Sequence, residues 1–283
     1  MALASYPRWG QSLALFNRGI GNEKATKDRI LIEDDKRLID RVDLPAAIGL
    51  LTRLPVVIDG DRAMARGAAS AWAYPLVGVI IGTVVAGIAG IFMWLGVPPS
   101  ITAALALAGG IVVTGAMHED GLADSADGLW GGWDKARRLE IMKDSRIGVY
   151  GVVALGLSLL IRWSALVAII GTGNTWIALI ATGALSRSAI VGAMTLLPHA
   201  RRDGLSKNVG RPSQQTFWVS AGLGAFFALI TGFLGLIFLA ALITVICVMI
   251  AKAKINGQTG DILGATQQIA EMSILIAIVV SVT

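Results

Sequence analysis

Seven long apolar stretches dominate the sequence and limit how it can fold. Stretches of about 20 residues are long enough to cross the hydrocarbon core of a bilayer as helices. A membrane interior offers no water to the backbone, so a crossing segment must form its hydrogen bonds internally. The composition agrees, because 55% of residues are hydrophobic and the mean hydropathy is +0.70, more than a soluble core absorbs. We predict an all-α polytopic membrane protein with seven transmembrane helices over approximately residues 72–97, 100–117, 148–171, 174–197, 215–231, 233–251 and 261–282.

The basic residues are distributed unevenly between the two ends of these helices. Of 24 Lys and Arg residues, 22 lie in the N-terminal region or in three of the loops, and the other two lie within spans. The remaining connections carry none. An excess of basic residues marks the cytoplasmic side, and topology therefore accounts for the net charge of +5 without a nucleic-acid partner. We expect the N-terminus to face the cytoplasm together with the loops 118–147, 198–214 and 252–260.

The first 43 residues differ from the rest of the chain. They hold eight basic and seven acidic residues among few apolar ones, a composition typical of segments that form no packed core. We predict a mobile charged tail over residues 1–43 and a single integral-membrane catalytic domain over 44–283. Residues 44–58 contain two prolines and Arg53. They are too short to span a bilayer, which favours an interfacial or re-entrant helix.

An acidic stretch interrupts the apolar pattern at residues 117–147, which hold seven of the nineteen acidic residues. Asp120, Asp124 and Asp127 are spaced by four and three residues, so on a helix they share one face. Like charges at this spacing repel one another and favour a compensating cation. Carboxylate oxygens are ligands for Mg²⁺, and we predict a magnesium site here. The alternative is a solvated helix start, where Asp is favoured by the helix dipole.

The end of the acidic stretch carries further candidates. Trp130 and Trp133 either anchor the loop at the membrane interface or stack on a flat ligand ring. Residues 134–147 have the pattern of an amphipathic helix on the membrane surface. Asp144 and Arg146 follow it and form a predicted phosphate clamp, because Arg binds phosphate oxygens bidentately. The alternative for this basic helix is attraction to anionic lipid.

Two later segments add charged residues on the same side. The loop 199–213 holds four basic residues, including Arg201. Membrane topology is enough to explain each of them individually, but together they would attract a phosphorylated substrate. In residues 256–272, Asp261 is expected at the cytoplasmic mouth, where it completes the metal site. Gln268 and Glu271 share the same helical face, and polar groups at this depth usually face a bundle interior.

Four polar residues that lie within spans or at their ends have separate interpretations. Arg187 and Glu271 lie at similar depths, so we predict a buried ion pair, with phosphate binding by Arg187 as the alternative. Arg162 is nearer the opposite face, and we expect it to extend to that surface. His118, at a membrane boundary, is a candidate general base or a cap of the preceding span.

The chain closely resembles the cobalamin synthase family, adenosylcobinamide-GDP ribazoletransferase, in four stretches: LLTRLPV at 50–56, HEDGLADSADG at 118–128, EIMKDSRIGVYG at 140–151 and GQTGDILGA at 257–265. The resemblance runs from about Leu44 to the C-terminus. Residues 1–43 have no counterpart, and Ser125 stands where Thr is common.

The resemblance implies a multi-pass, Mg²⁺-dependent enzyme of the bacterial inner membrane, with its active site facing the cytoplasm. Such an enzyme joins α-ribazole, or α-ribazole 5′-phosphate, to adenosylcobinamide-GDP and releases GMP in the last steps of cobalamin (vitamin B12) synthesis. Transfer from a diphosphate needs a metal to neutralise the oxygens and needs little covalent help from the protein.

The candidate residues then take specific roles. We expect His118 or Asp127 to act as the base and Arg146 to stabilise the departing GMP. The predicted metal ligands are Asp120, Asp124, Asp127 and Asp261, and the predicted substrate-binding residues are Trp130, Trp133, Asp144, Arg187, Arg201, Gln268 and Glu271.

Two other functions fit part of the pattern. CDP-alcohol phosphatidyltransferases also place aspartates at a membrane surface, but this sequence has DGLADSADG and a separate TGD where those enzymes have an Ala-Arg pair and two further Asp residues. A transporter is the second alternative, since Arg187 and Glu271 lie within spans. Transporters usually have internal repeats and a midplane site, whereas the acidic residues here gather at one surface.

Overall fold

The computed structural model describes residues 37–232 and 234–282. All regular secondary structure in this part of the chain is helical, apart from one isolated bridge between the backbones of His199 and Gln258. A 3-10 helix, Gly67–Ala73, connects the second and third α-helices. The α-helices in chain order are α1 (Asp43–Leu51), α2 (Gly60–Arg66), α3 (Tyr74–Trp94), α4 (Pro99–Thr114), α5 (Met117–Gly131), α6 (Lys135–Ile141), α7 (Val149–Ile170), α8 (Thr175–Leu196), α9 (Leu205–Val209), α10 (Gln214–Ile230), α11 (Gly235–Ile255) and α12 (Gly260–Val282).

Five helical stretches are long and apolar enough to cross a membrane, namely Gly60–Trp94, Val149–Ile170, Thr175–Leu196, Gly235–Ile255 and Gly260–Val282. A sixth crossing is formed if α4 and α5, which meet at an angle of 87°, count as one broken span. The predicted class, an all-helical multi-pass membrane protein, is confirmed. The predicted number of seven spans is not confirmed, because α10 has only 17 residues and is not among the candidates.

The second predicted span ends earlier than the apolar pattern indicated. α4 stops at Thr114, and the next two residues, Gly115 and Ala116, have φ angles of +63° and +57°. A left-handed backbone ends a helix, and glycine adopts it without steric cost. α5 begins at Met117 and leaves in a new direction. The bend therefore separates the apolar helix α4 from the acidic helix α5.

The helices α8 and α12 lie at the centre of the bundle. Of the most apolar stretch of α8, 83% is buried, and the corresponding value for α12 is 61%. α8 packs along α3 through facing glycines: a Cβ atom on Gly78 would collide with the carbonyl of Gly183, and a Cβ on Gly183 would collide with the carbonyl of Gly78. Small residues allow membrane helices to approach this closely. This contact places the partly polar α8 in the interior.

The predicted surface segments form short helices. The segment 44–58 contains most of α1 and continues without regular structure from Thr52. Asp43, at the start of α1, is buried and accepts hydrogen bonds from Arg66 at 2.7 and 2.8 Å and from Trp72 at 2.7 Å. The amphipathic helix predicted within 134–147 is α6. Most of the predicted tail, residues 1–36, lies outside the described residues.

We expect Gly78→Ala to destabilise the protein by about 1–3 kcal/mol, because the added methyl group forces α3 away from α8. Unfolding of the detergent-solubilised protein by heat or denaturant would measure this loss. Gly90→Ala is the matched control, since Gly90 lies in the same helix and a Cβ there meets no atom within 4 Å. The expected change for the control is within about 0.5 kcal/mol. Equal effects of the two substitutions would contradict the α3–α8 contact.

Candidate active site

Helices α5 and α12 approach each other closely because each presents a glycine to the other. A Cβ on Gly121 would lie 2.9 Å from the carbonyl oxygen of Asp261 and 3.2 Å from the Cα of Gly264. A Cβ on Gly264 would lie 3.3 Å from the Cα atoms of Gly121 and His118. The two segments that the sequence predicted to meet, although about 140 residues apart, are therefore in contact through their backbones.

This contact brings together a carboxylate cluster, Asp120, Asp124 and Asp261. Asp120 and Asp261 line a cavity of about 220 Å³, which we call the carboxylate cavity. Asp124 follows Asp120 by one turn, and the charges of both Asp120 and Asp261 act on it. Arg201 also lines the cavity and donates to Asp261 at 3.4 Å. Its positive charge offsets part of the repulsion between the carboxylates.

A metal ion fits this cluster by donor chemistry, because the side chains are carboxylates and Mg²⁺ prefers hard oxygen ligands. Within residues 37–232 and 234–282, however, no group of three or more His, Cys, Asp or Glu side chains is arranged to hold a metal ion. The predicted ligands Asp120, Asp124 and Asp261 are thus neighbours but are not arranged as a metal site. Their role as metal ligands stays a prediction.

Asp127, the fourth predicted ligand, has a structural role. Its two carboxylate oxygens accept the backbone N–H groups of Gly148 at 2.7 Å and Gly151 at 2.9 Å. These amides belong to the start of α7, where a negative charge is favoured by the helix dipole. Asp127 therefore connects α5 to α7. Its predicted roles as ligand and base stay predictions, and both would require these oxygens to accept further bonds.

His118, the other predicted base, lies in the first turn of α5 and is 2% exposed. Neither ring nitrogen has a hydrogen-bond partner among the described residues. The side chain lines the carboxylate cavity on one side and a chamber of about 50 Å³ on the other. A ring nitrogen without a partner at the cavity wall is available to a ligand, and the role of His118 as general base stays a prediction.

Beneath His118 lies a buried charge cluster made of Glu119, Arg162, Arg187 and Glu271. Nη1 of Arg162 is 3.0 Å from Glu119 and 3.3 Å from Glu271, and Nη1 of Arg187 is 3.0 Å from Glu271. The two arginine side chains are 2% and 4% exposed. Buried charges are costly unless they are paired. With two positive and two negative residues, this cluster is formally neutral.

The predicted contact between Arg187 and Glu271 is confirmed, but the expectation for Arg162 is wrong. Arg162 does not extend to the opposite surface, because two carboxylates inside the bundle pair with it. Sequence reasoning missed Glu119 altogether. A signal existed: Arg162 lies eight residues before the end of α7, which is about 12 Å by helix rise and far for a side chain to reach water.

Gln268 is part of the same interior and does not contact the carboxylate cavity. Its amide donates to Glu119 at 3.2 Å and to Gln267 at 3.0 Å, and its oxygen accepts from Ser158 at 3.3 Å. The hydrogen bonds satisfy polar groups that the bilayer interior would otherwise leave unpaired. For Gln268, Arg187 and Glu271, the predicted binding of substrate stays a prediction beside this structural role.

The two tryptophans lie at the end of α5, and each has a cation over its ring. The ammonium of Lys254 is 5.6 Å from the ring centre of Trp130, and the guanidinium carbon of Arg137 is 5.9 Å from that of Trp133. The residues are 53% and 78% exposed. Such cation–π contacts hold the rings at the surface. Neither ring lines the carboxylate cavity, and both predicted roles, anchoring and ring stacking, stay open.

Arg146 and Asp144 pair with each other at the surface. The guanidinium donates to both carboxylate oxygens, with distances of 2.7 to 3.2 Å, and its side chain is 86% exposed. These hydrogen bonds lower the pKa of Asp144 to about 2. Neither residue lines the carboxylate cavity. The two residues of the predicted clamp thus bind each other, and their contact with a phosphate stays a prediction.

Removing one charged residue from the buried charge cluster should reduce the stability of the protein more than removing two residues of opposite charge. We expect Arg187→Met to destabilise the protein by about 3–5 kcal/mol, because it leaves the cluster with an excess negative charge. The double substitution Arg187→Met with Glu271→Met keeps the cluster neutral, so it should destabilise the protein clearly less than Arg187→Met alone. Arg146→Ala, which removes an exposed pair, is the control and should leave the unfolding midpoint unchanged. Equal losses in the single and double variants would show that neutrality is not what stabilises the cluster.

Comparisons with known proteins identify the family of this chain. The family model described as cobalamin-5-phosphate synthase matches residues 43–279. Curated relatives named adenosylcobinamide-GDP ribazoletransferase include that of Bradyrhizobium diazoefficiens, 42% identical over 239 residues, which cover 83% of this chain and 92% of the relative. The relative from Mesorhizobium japonicum is 41% identical, covering 83% and 91%, and that from Sinorhizobium medicae is 42% identical over 254 residues, covering 85% and 97%.

No solved structure matches the chain. The family match nevertheless extends over nearly all of the described residues, and it includes the acidic helix α5, the clamp residues before α7 and the whole start of α12. The relatives match over most of their own length as well. The chain therefore belongs to the cobalamin-5-phosphate synthase family.

Proposed function

We propose that this protein is an adenosylcobinamide-GDP ribazoletransferase, which transfers the adenosylcobinamide-phosphate group of adenosylcobinamide-GDP to α-ribazole and releases GMP. α-Ribazole 5′-phosphate is the second acceptor, and it gives cobalamin 5′-phosphate. One structural observation carries the proposal beyond the family match: carboxylates from α5 and α12 and the guanidinium of Arg201 meet at one cavity. A diphosphate ester is a substrate that needs both kinds of group, one to hold a cation and one to bind phosphate oxygens.

The reaction exchanges one phosphorus–oxygen bond for another. A ribose hydroxyl of α-ribazole other than the 5′-hydroxyl, which is phosphorylated in the second acceptor, bonds to the phosphorus that carries cobinamide, and the bond from that phosphorus to the bridging oxygen breaks. The bridging oxygen and its electron pair leave with GMP. The hydroxyl proton passes to a base, for which His118 has the better geometry, because both oxygens of Asp127 already accept backbone N–H groups.

Asp120, Asp124 and Asp261 would hold Mg²⁺, and Asp127 is the remaining candidate ligand. When bound, the ion neutralises charge on the diphosphate oxygens. The protein's own contribution is to place the substrate. Arg201, which lines the cavity, would bind phosphate oxygens there, and Arg146, which pairs with Asp144 at the surface, would stabilise the departing GMP. Phosphoryl transfer relies mainly on positioning and charge stabilisation of this kind.

We further propose that the protein lies in the bacterial inner membrane with the carboxylate cavity facing the cytoplasm. The uneven distribution of Lys and Arg supports this orientation, since basic loops stay on the cytoplasmic side. The proposal keeps seven crossings, with the bent pair α4 and α5 as one and the short helix α10 as another. Trp130 and Trp133 then lie at the cytoplasmic interface, where they either anchor α5 or stack on a ligand ring.

The two alternative functions are not favoured, because the family match and the relatives point to nucleotide-loop assembly. Analysis of the products distinguishes ribazole transfer from the two alternatives, phosphatidyl transfer and transport. Purified protein in detergent should release GMP from adenosylcobinamide-GDP in the presence of α-ribazole. Release of CMP from a CDP-alcohol would indicate a phosphatidyltransferase instead. An activity that exists only in sealed vesicles would indicate transport.

We expect turnover to depend on Mg²⁺ and to fall about a hundredfold or more in Asp120→Asn and Asp261→Asn, because several kcal/mol of charge stabilisation depend on these ligands. GMP release at varied Mg²⁺ concentration is the measurement. Asp134→Asn is the control from the same acidic stretch: Asp134 is exposed and caps α6 through Arg137, and an amide keeps that cap. Full activity of Asp120→Asn at the same Mg²⁺ requirement would remove this residue from the metal site.

A further inference from the structure

A second polar cavity lies beside the carboxylate cavity and has no role in the mechanism above. It has a volume of about 450 Å³, within the range of small-molecule sites. Its walls come from the segment around α2 and the 3-10 helix and from the turn between α9 and α10. We call it the basic cavity, because its polar lining is formed by Arg37, Arg66, Arg211, Ser213, Gln215 and Thr216, and no described Asp or Glu lines it.

One residue lines both cavities. Val209, the last residue of α9, lines both the carboxylate cavity and the basic cavity. The backbone of Val209 packs closely against Gly67, because a Cβ on Gly67 would lie 2.7 Å from the carbonyl oxygen of Val209. Gly67 has a φ angle of +44°, a backbone conformation that residues other than glycine rarely adopt. The two cavities therefore adjoin each other at Val209.

The polar groups of the basic cavity match those of a nucleoside. Arg211 is anchored by one donor, Nη2, to the carbonyl oxygen of Thr195 at 2.6 Å. A guanidinium has five N–H donors in a planar fork, so others remain for a ligand. Guanine presents two adjacent acceptors, O6 and N7, and Arg binds them bidentately, whereas adenine has a donor in place of O6. Gln215 is exposed and offers both a donor and an acceptor to ribose hydroxyls.

From this geometry we propose that the basic cavity binds the guanosine of the donor, with Arg211 reading the guanine base, while the attached phosphates extend past Val209 to the carboxylate cavity. The proposal rests on the proposed function for the identity of the donor. It adds the residue that selects the nucleotide and explains the two compartments: the bond that breaks lies in one, and the group that leaves is held in the other.

Direct binding of nucleoside monophosphates tests the proposal without requiring turnover. The full-length protein in detergent is titrated calorimetrically with GMP, AMP and inorganic phosphate. We expect GMP to bind more tightly than AMP. In Arg211→Ala, GMP affinity should fall about tenfold or more, the loss expected for one bidentate base contact, and the preference over AMP should disappear. Affinity for inorganic phosphate should stay unchanged.

Two further variants control for charge and for folding. Arg211→Lys keeps the positive charge but lacks the planar fork, so the preference for GMP should again disappear. Lys207→Ala removes a positive charge from the same region at an exposed residue that lines neither cavity. It should bind GMP as the unchanged protein does. Equal unfolding temperatures of the variants show that the protein remains folded.

The outcomes separate this inference from the proposed function. If Arg211→Ala weakens GMP and AMP equally, or leaves GMP binding unchanged, Arg211 does not read guanine and the inference is wrong, even where the protein still releases GMP during turnover. If GMP binds selectively and the selectivity is lost in Arg211→Ala, the inference holds even where no ribazole transfer is observed. Absence of any GMP binding overturns it.

Discussion

The backbone contact between α5 and α12 is the constraint on which the rest of the site depends. Gly121 and Gly264 remove two side chains from the interface, and the helices approach until their backbones touch. This approach brings the carboxylates of the two helices close together, which is unfavourable by itself because like charges repel. The repulsion is offset because positive residues from other parts of the chain lie beside these carboxylates. Arg201 offsets the charge at the cavity, and Arg162 offsets it in the interior.

The helix α5 serves three purposes along its length. Its first turn enters the bundle, where Glu119 binds Arg162 and His118 faces the cavity. Its middle carries Asp120 and Asp124, and its later part holds the start of α7 through Asp127. Because the buried charge cluster and the α7 contact hold both ends, the carboxylates between them have little freedom to move apart. This rigidity suits a reaction that depends on positioning rather than on covalent catalysis.

As proposed, the two cavities would divide a long substrate into parts. The carboxylate cavity offers negative charge for a cation and one arginine for a phosphate, while the basic cavity offers a planar guanidinium and an amide. Val209 lines both. A nucleotide held on one side and a diphosphate held on the other would present the reacting phosphorus at a defined place. Binding energy from the nucleoside, remote from the breaking bond, can then contribute to the rate.

Much of this protein was predictable from the sequence, because its strongest signals are local. Apolar length predicted the membrane helices, and the spacing of Asp120, Asp124 and Asp127 predicted an acidic helical face. The family stretches predicted the family that the comparisons later matched. Similar depth in two spans was enough to pair Arg187 with Glu271. Each of these predictions needs only hydropathy, helical periodicity or a motif.

The sequence by itself thus determined the class of protein, its family and the segments that form the site. Only the tertiary structure decided which partner each charge takes. It paired Arg162 with Glu119 inside the bundle, and it paired Asp127 with the backbone at the start of α7. It also ended α4 at Thr114 instead of three residues later. The physical reason is that helical periodicity specifies the face a side chain occupies. The neighbour it meets depends on the angles and distances between helices, which the close glycine contacts set.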